Sequence, residues 1–129
     1  MLNKILLSIL LVSTLSLSSI ATASDLKHSM RDLNQSYKAF IKSKKTEDAL
    51  YALNNMHDAV VESKQFRPKK LKASSDQDEQ VLAYEAILDD LLKNIDETKK
   101  LLLTDQFDVA KKNIVKIDEL KKLGHQKFR

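Results

Sequence analysis

Across 129 residues this chain has one glycine, Gly124, and one proline, Pro68. Folds built from short strands turn often, and their turns draw on both residues for backbone angles that others adopt poorly. A chain so short of them must cover its length with long, uninterrupted elements. Charged residues make up 31% of it. They alternate in sign along the chain, as on the solvent faces of amphipathic helices rather than in a sandwich or barrel. Aromatics are few, with no Trp, three Tyr and four Phe. The expected fold is all-α.

The first 23 residues stand apart. Lys4 supplies a short positive region, Ile5 to Leu17 an apolar run, and Ala21-Thr22-Ala23 a small-x-small cleavage site. That is the layout of a secretory signal peptide. The run is short for a membrane span, which needs about 20 residues, and no second run of that length follows. We therefore expect residues 1–23 to be removed, and a mature domain of residues 24–129 with no stable membrane insertion. Its length suits one modest core. The formal charge of +4 includes Lys4, so the mature chain is one unit less positive, a mild bias. There is no cysteine, which excludes thiolate metal sites, redox dithiols and disulfides.

Four apolar stripes at helical spacing fill the mature domain. The first helix is expected to start with Ser24 or Asp25 as cap, and carries Leu26, Met30, Leu33, Tyr37 and then Phe40 or Ile41. Lys42, Lys44 and Lys45 suit its C-terminus. Thr46 is expected to cap the second helix, with Glu47 and Asp48 in its first turn and Ala49 or Leu50, Leu53, Met56 and Val60 as its stripe. It should fade near Lys64 or Gln65. From there to Asp78 the sequence reads as a long polar loop around Pro68. Asp76 and Glu79 are spaced like a capping box for the third helix, which carries Val81, Tyr84, Leu88, Leu91, Ile95 and Leu101 or Leu102. Thr104 or Asp105 should cap the fourth, whose stripe is Phe107, Ala110, Ile114, Ile117, Leu120, Gly124 or His125, and Phe128. These segments predict an antiparallel up-down-up-down four-helix bundle. In it the start of the first helix lies beside the end of the fourth, and the long loop crosses the same end.

That topology brings Met30 and His125 together. Alone, a Met on a stripe is usually core filling, and a His in a last turn often only complements the helix dipole. As a pair they offer a thioether and an imidazole at one end of a bundle core, a known place for cofactors and an established ligand pair for haem iron. Gly124 beside His125 reads either as room for a flat macrocycle or as a loosened last turn, at a cost of up to about 1 kcal/mol relative to Ala. His28 sits two residues from Met30, roughly 200° away around the helix. His57 lies at the edge of its stripe and reads as a structural His.

No enzyme constellation stands out. There is no nucleophile elbow, no His-Glu-x-x-His, no Gly-rich phosphate loop and no paired Glu-x-x-His of a di-iron bundle. Asp89-Asp90 and Asp118-Glu119 are adjacent residues that diverge around a helix. The basic loop of Lys64, Arg67, Lys69, Lys70 and Lys72 could dock an acidic partner, sit near haem propionates, or simply be solvated. Export and modest charge disfavour nucleic-acid binding.

The ends of the mature chain, Ser24-Asp25-Leu26-Lys27-His28-Ser29-Met30 and His125-Gln126-Lys127-Phe128-Arg129, resemble those of the cytochrome b562 family, whose archetype is itself a standard example of an up-down-up-down bundle. Pro68-Lys69-Lys70-Leu71 and Asn94-Ile95-Asp96 are also similar to it, and the likeness spans the mature chain without net insertion. It implies haem b, one per chain, held without covalent attachment since Cys-x-x-Cys-His is absent. It also implies axial ligation by Met30 and His125. By position, the haem pocket would be lined by Leu26, Leu33, Met56, Tyr84, Leu88, Leu91 and Ile117, with Pro68 closing it. Lys121, one turn before the His, stands where the archetype has an arginine. An aromatic is replaced by Gly124, two phenylalanines by Tyr84 and Leu88, and a second loop proline by Lys69, which thins the aromatic packing. The expected protein is a monomeric periplasmic electron carrier, not an enzyme, with redox partners the sequence does not name. The rival expectation is a haem-free periplasmic helical module for binding or stress response. A third reading, metal storage through His28, His57 and carboxylates, has no organised ligand set.

Overall fold

The computed structural model describes residues 23–129. The expected signal peptide thus lies outside the described residues, except for Ala23. Helix α1 runs Ala23–Lys42, α2 Thr46–Ser63, α3 Glu79–Leu103, α4 Phe107–Asn113 and α5 Val115–Phe128, with a 3₁₀ turn at Lys69–Leu71. The described residues contain no strand, and none of their helices is long and apolar enough to cross a membrane. The architecture is an antiparallel four-helix bundle whose fourth member is in two pieces. α1 packs on α2, α2 on α3, and α3 on both α4 and α5. Leu33, Phe40, Leu53, Met56, Val60, Leu91, Ile114 and Ile117 are buried between them. They recur three or four residues apart, as the stripes require.

The helix ends depart from the sequence reading in instructive ways. α1 already includes Ser24 and Asp25, so neither stands outside it as a cap, and Asp25 complements the dipole from within the first turn. At α2 the cap position falls to Lys45, in extended conformation, and Thr46 is the first helical residue. Asp78, not Asp76, caps α3, accepting from Gln80 N at 2.8 Å. Asp76 is occupied elsewhere, by the Arg67 guanidinium. Arg67 also donates to Ser74 O at 2.8 Å, and with Pro68 and Leu71 buried this folds the long connection onto the bundle end.

Thr104 and Asp105 end α3 rather than starting the fourth helix. Asp105 N donates to Leu102 O and Gln106 N to Leu101 O, with Asp105 at φ 59°. This is a Schellman closure with aspartate in the left-handed position that glycine fills most easily. Gln106 then occupies the N-cap position of α4.

The fourth stripe was expected to be one helix, and it breaks at Ile114. The buried Asn94 side chain of α3 donates to Asn113 O at 3.1 Å. That carbonyl would otherwise face Ile117 N, which bonds Ile114 O instead. Asn113 Nδ2 in turn donates to the buried Thr98 hydroxyl at 3.0 Å, and Thr98 donates to Asn94 O. A polar side chain inside the core thus competes with the helix ladder and tightens it locally.

One end of the bundle is clasped. Lys111 of α4 reaches across to the C-terminus of α1, where its Nζ donates to Phe40 O, Ile41 O and Ser43 O at 2.6, 2.7 and 2.6 Å. The ammonium also lies over the rings of Phe40 and Phe107, 5.3 and 5.2 Å from their centroids. It satisfies carbonyls a helix end leaves open and meets the negative end of the dipole. Burial pulls the Lys111 pKa down, and the three acceptors oppose that by favouring the charged form. At the opposite end α1 and α5 are not drawn together in this way.

Candidate functional site

The space between α1 and α5 at the unclasped end is a cavity of about 960 Å³. That is the upper range of small-molecule and cofactor sites. α3 forms its back wall through Tyr84, Ile87, Leu88 and Leu91, α1 contributes Leu26 and Met30, and α5 contributes Leu120, Gly124, His125 and Phe128. Pro68 closes it from the loop. Part of the wall is an aromatic pair: the rings of Tyr84 and Phe128 meet edge to face, 5.6 Å apart.

Met30 and His125, near opposite ends of the described residues, line the same cavity. Met30 is half-buried against the core and His125 is exposed. Among the described residues the His125 ring has no hydrogen bond or ion pair. The other histidines differ. His28 Nε2 lies 3.4 Å from Asp32 and His57 Nδ1 3.7 Å from Asp58, both on exposed surface. No group of three or more His, Asp or Glu that could hold a metal ion occurs among the described residues, so metal storage finds no ligand set there.

Of the other residues the sequence pointed to, Leu26, Pro68, Tyr84, Leu88, Leu91 and Lys121 line the cavity. Leu33, Met56 and Ile117 are not part of its lining. Each is fully buried, with its surface spent on neighbouring helices. α2 contributes nothing to the lining, which accounts for Met56. The rim of the cavity is what stripe reading missed. Lys27, Arg31, Asp118, Lys122 and Arg129 belong to the lining, together with Lys69 of the basic loop that the sequence had already singled out, and charged residues flanking an apolar stripe carry no periodic signal of their own.

Burial and neighbouring charge set the titration of the site. Burial, with a smaller push from Glu85, raises the Tyr84 phenol to about 12. Its hydroxyl has one long bond, donating to Ser63 O at 3.4 Å. Burial also lowers the pKa of Lys121, and Asp118 pulls it partly back. The Lys121 ammonium sits 5.1 Å from the centroid of Tyr37 and 3.7 Å from Asp118 Oδ1. Asp118 is held below the usual carboxylate range, first by the hydrogen bond from Lys122, which lies 3.0 Å away. A Cβ on Gly124 would meet Ile87 Cγ2 at 3.7 Å, ordinary contact. Packing of α5 on α3 therefore does not require the glycine.

An apolar slot at a bundle end, with a thioether and a free imidazole in its walls and cations at its mouth, defines a cofactor-binding four-helix bundle. The donor set is too soft and too sparse for a hard cation and fits a large, flat, apolar group with anionic substituents. The chain belongs to the cytochrome b562 family, whose model matches residues 25–129. It is therefore a b-type cytochrome, one that binds haem b.

Proposed function

We propose that the mature chain is a monomeric periplasmic electron carrier, with one haem b in the α1–α5 cavity and its iron held by Met30 Sδ and a ring nitrogen of His125. The observation carrying this is the convergence of the two side chains on one apolar cavity in a chain of this family. The haem supplies one-electron chemistry between the ferric and ferrous states. The chain's own residues set its conditions. Leu88, Leu91, Ile87 and the Tyr84–Phe128 pair exclude water from one side, so little solvent needs to reorganise. Met30 and His125 are the residues that would hold the iron, and a neutral thioether together with an imidazole would favour the ferrous state and raise the potential. The Lys121 ammonium at the wall works in the same direction, since a nearby positive charge favours the form with the lower total charge. Residues 1–23 serve export and are cleaved, which puts the protein in the periplasm.

The test is a haemin titration of the mature protein with oxidised and reduced spectra. We expect a saturable one-to-one shift to a six-coordinate, low-spin form. In Met30→Ala, an axial position opens and the potential falls. A failure to saturate, leaving only the broad spectrum of adsorbed haem, would replace this reading with a haem-free helical binding module. An unchanged spectrum and potential in Met30→Ala would remove Met30 as a ligand.

A further inference from the structure

The cavity accounts for an apolar cofactor with a few anionic substituents, but more basic side chains stand around its mouth than such substituents need. Six basic side chains belong to the lining: Lys27, Arg31, Lys69, Lys121, Lys122 and Arg129. Asp118 is the one acidic side chain among them, and it is already taken by Lys121 and Lys122. Arg129, just past the end of α5, is exposed as well. The cations that α1 and the 3₁₀ turn supply are Lys27, Arg31 and Lys69. All three are exposed, and none has an ion-pair partner among the described residues. Lys64 with Asp89 and Lys100 with Asp96 are paired elsewhere on the bundle; other exposed lysines are not, and what sets these three apart is that they line one opening.

We propose that the mouth of the cavity is the docking surface for an acidic redox partner protein, with Lys27, Arg31 and Lys69 as its contact charges. The proposal rests on the electron-carrier reading above. Lys27 and Arg31 stand one turn apart on α1 and Lys69 comes from the 3₁₀ turn, so two separate elements bring cations to the opening. Lys69 is presented rigidly. Pro68 before it and Leu71 after it are buried, Leu71 N bonds Pro68 O at 2.9 Å, and Arg67 braces the loop behind. Exposed cations in water hold a small acid weakly, but their fields add over the surface of a macromolecule and steer its approach. A haem offers two carboxylates, fewer than the cations that line this opening. The opposite end of the bundle serves as an internal control. Lys42, Lys44 and Lys45 are exposed there too, but Glu47 and Asp48 follow them in the first turn of α2, and Lys111 is committed to α1.

Two measurements test this. In the haemin-loaded protein, the ferrous form gives one electron to an anionic oxidant, ferricyanide, or to a cationic one, tris(phenanthroline)cobalt(III). We expect the ferricyanide rate to fall about tenfold from low to high ionic strength. In K27E/R31E/K69E the salt dependence for ferricyanide should reverse sign and the cationic oxidant should gain instead. Salt dependences that are the same in both proteins overturn the proposal. So does a triple variant that loses haemin affinity while its loaded fraction reacts as before, because the cations then serve the carboxylates of the cofactor. The second measurement needs no haem: an octa-aspartate peptide is titrated into the haem-free protein and followed by amide NMR. Shifts at residues 27, 31 and 69 that vanish in the triple variant support an acidic partner at the mouth, even if haem binding itself were to fail. Shifts confined to residues 42–45 overturn it.

Discussion

Replacing Lys111 by methionine keeps the aliphatic stem and removes the ammonium that closes the far end of the bundle. Three carbonyls lose a charged donor, and hydrogen bonds to charged groups contribute about 1.5–3 kcal/mol each when buried. Here the loss is smaller. Lys111 is only half-buried, and carbonyls at a helix end can turn to water. A discounted value of roughly 0.5 kcal/mol per bond, plus about 0.5 kcal/mol for the ring contacts with Phe40 and Phe107, gives about 2 kcal/mol. For a domain of this size that corresponds to a fall in Tm of about 8 °C. Thermal unfolding of Lys111→Met followed by circular dichroism at 222 nm measures it directly, and Lys111→Arg should recover part of the loss. A shift below about 2 °C would refute the reasoning, because it would mean that water replaces the ammonium at no cost and the clasp contributes nothing to stability.

Other changes probe other parts of the molecule. The Tyr84 phenol is raised in the folded state to about 12, so the protonated form is favoured by folding. Its contribution is complete below the unfolded value of about 10 and is lost as pH rises toward 12. Urea unfolding of the wild type should therefore weaken across that window by about 2 kcal/mol more than that of Tyr84→Phe, and parallel curves would count against burial of the phenol. Asp105→Gly relieves a left-handed aspartate and should stabilise by about 1 kcal/mol, read from the urea midpoint. Gly124→Ala has room beside Ile87 and should stabilise the haem-free protein by about 0.5–1 kcal/mol. If it also weakens haemin uptake, the missing side chain serves the cavity, and if uptake is unchanged the glycine is merely a weak point of α5.

The bundle was legible because Leu33, Leu53, Leu91 and Ile117 repeat at helical spacing and turns are scarce. The pairing of Met30 with His125 followed from topology alone once the helices were counted. Caps were less legible. Thr46 and Asp76 are good capping residues, but Lys45 holds the extended conformation before α2, and Asp76 is taken by Arg67, nine residues earlier. The break at Ile114 was invisible too. Nothing in the local sequence says that Asn94, nineteen residues earlier, will take the Asn113 carbonyl. In the site, the likeness to the family, carried over by position, named Tyr84, Leu88 and Leu91, which line the cavity, and also Leu33, Met56 and Ile117, which are buried in the core outside its lining. The cations at the mouth were missed as a group, since only the fold gathers Lys27, Arg31 and Lys122 around one opening.

The connection between α2 and α3 is rich in lysine and arginine, the residues at which trypsin cuts. An extended chain of that composition would be nicked within moments. Here Arg67 is tied to Ser74 and Asp76, and the segment is pinned through Pro68 and Leu71, so a protease must wait for local unfolding before the backbone fits its cleft. Digestion of the intact protein should therefore report the opening of one end of the bundle, and anything that fills the cavity beneath Pro68 should slow it.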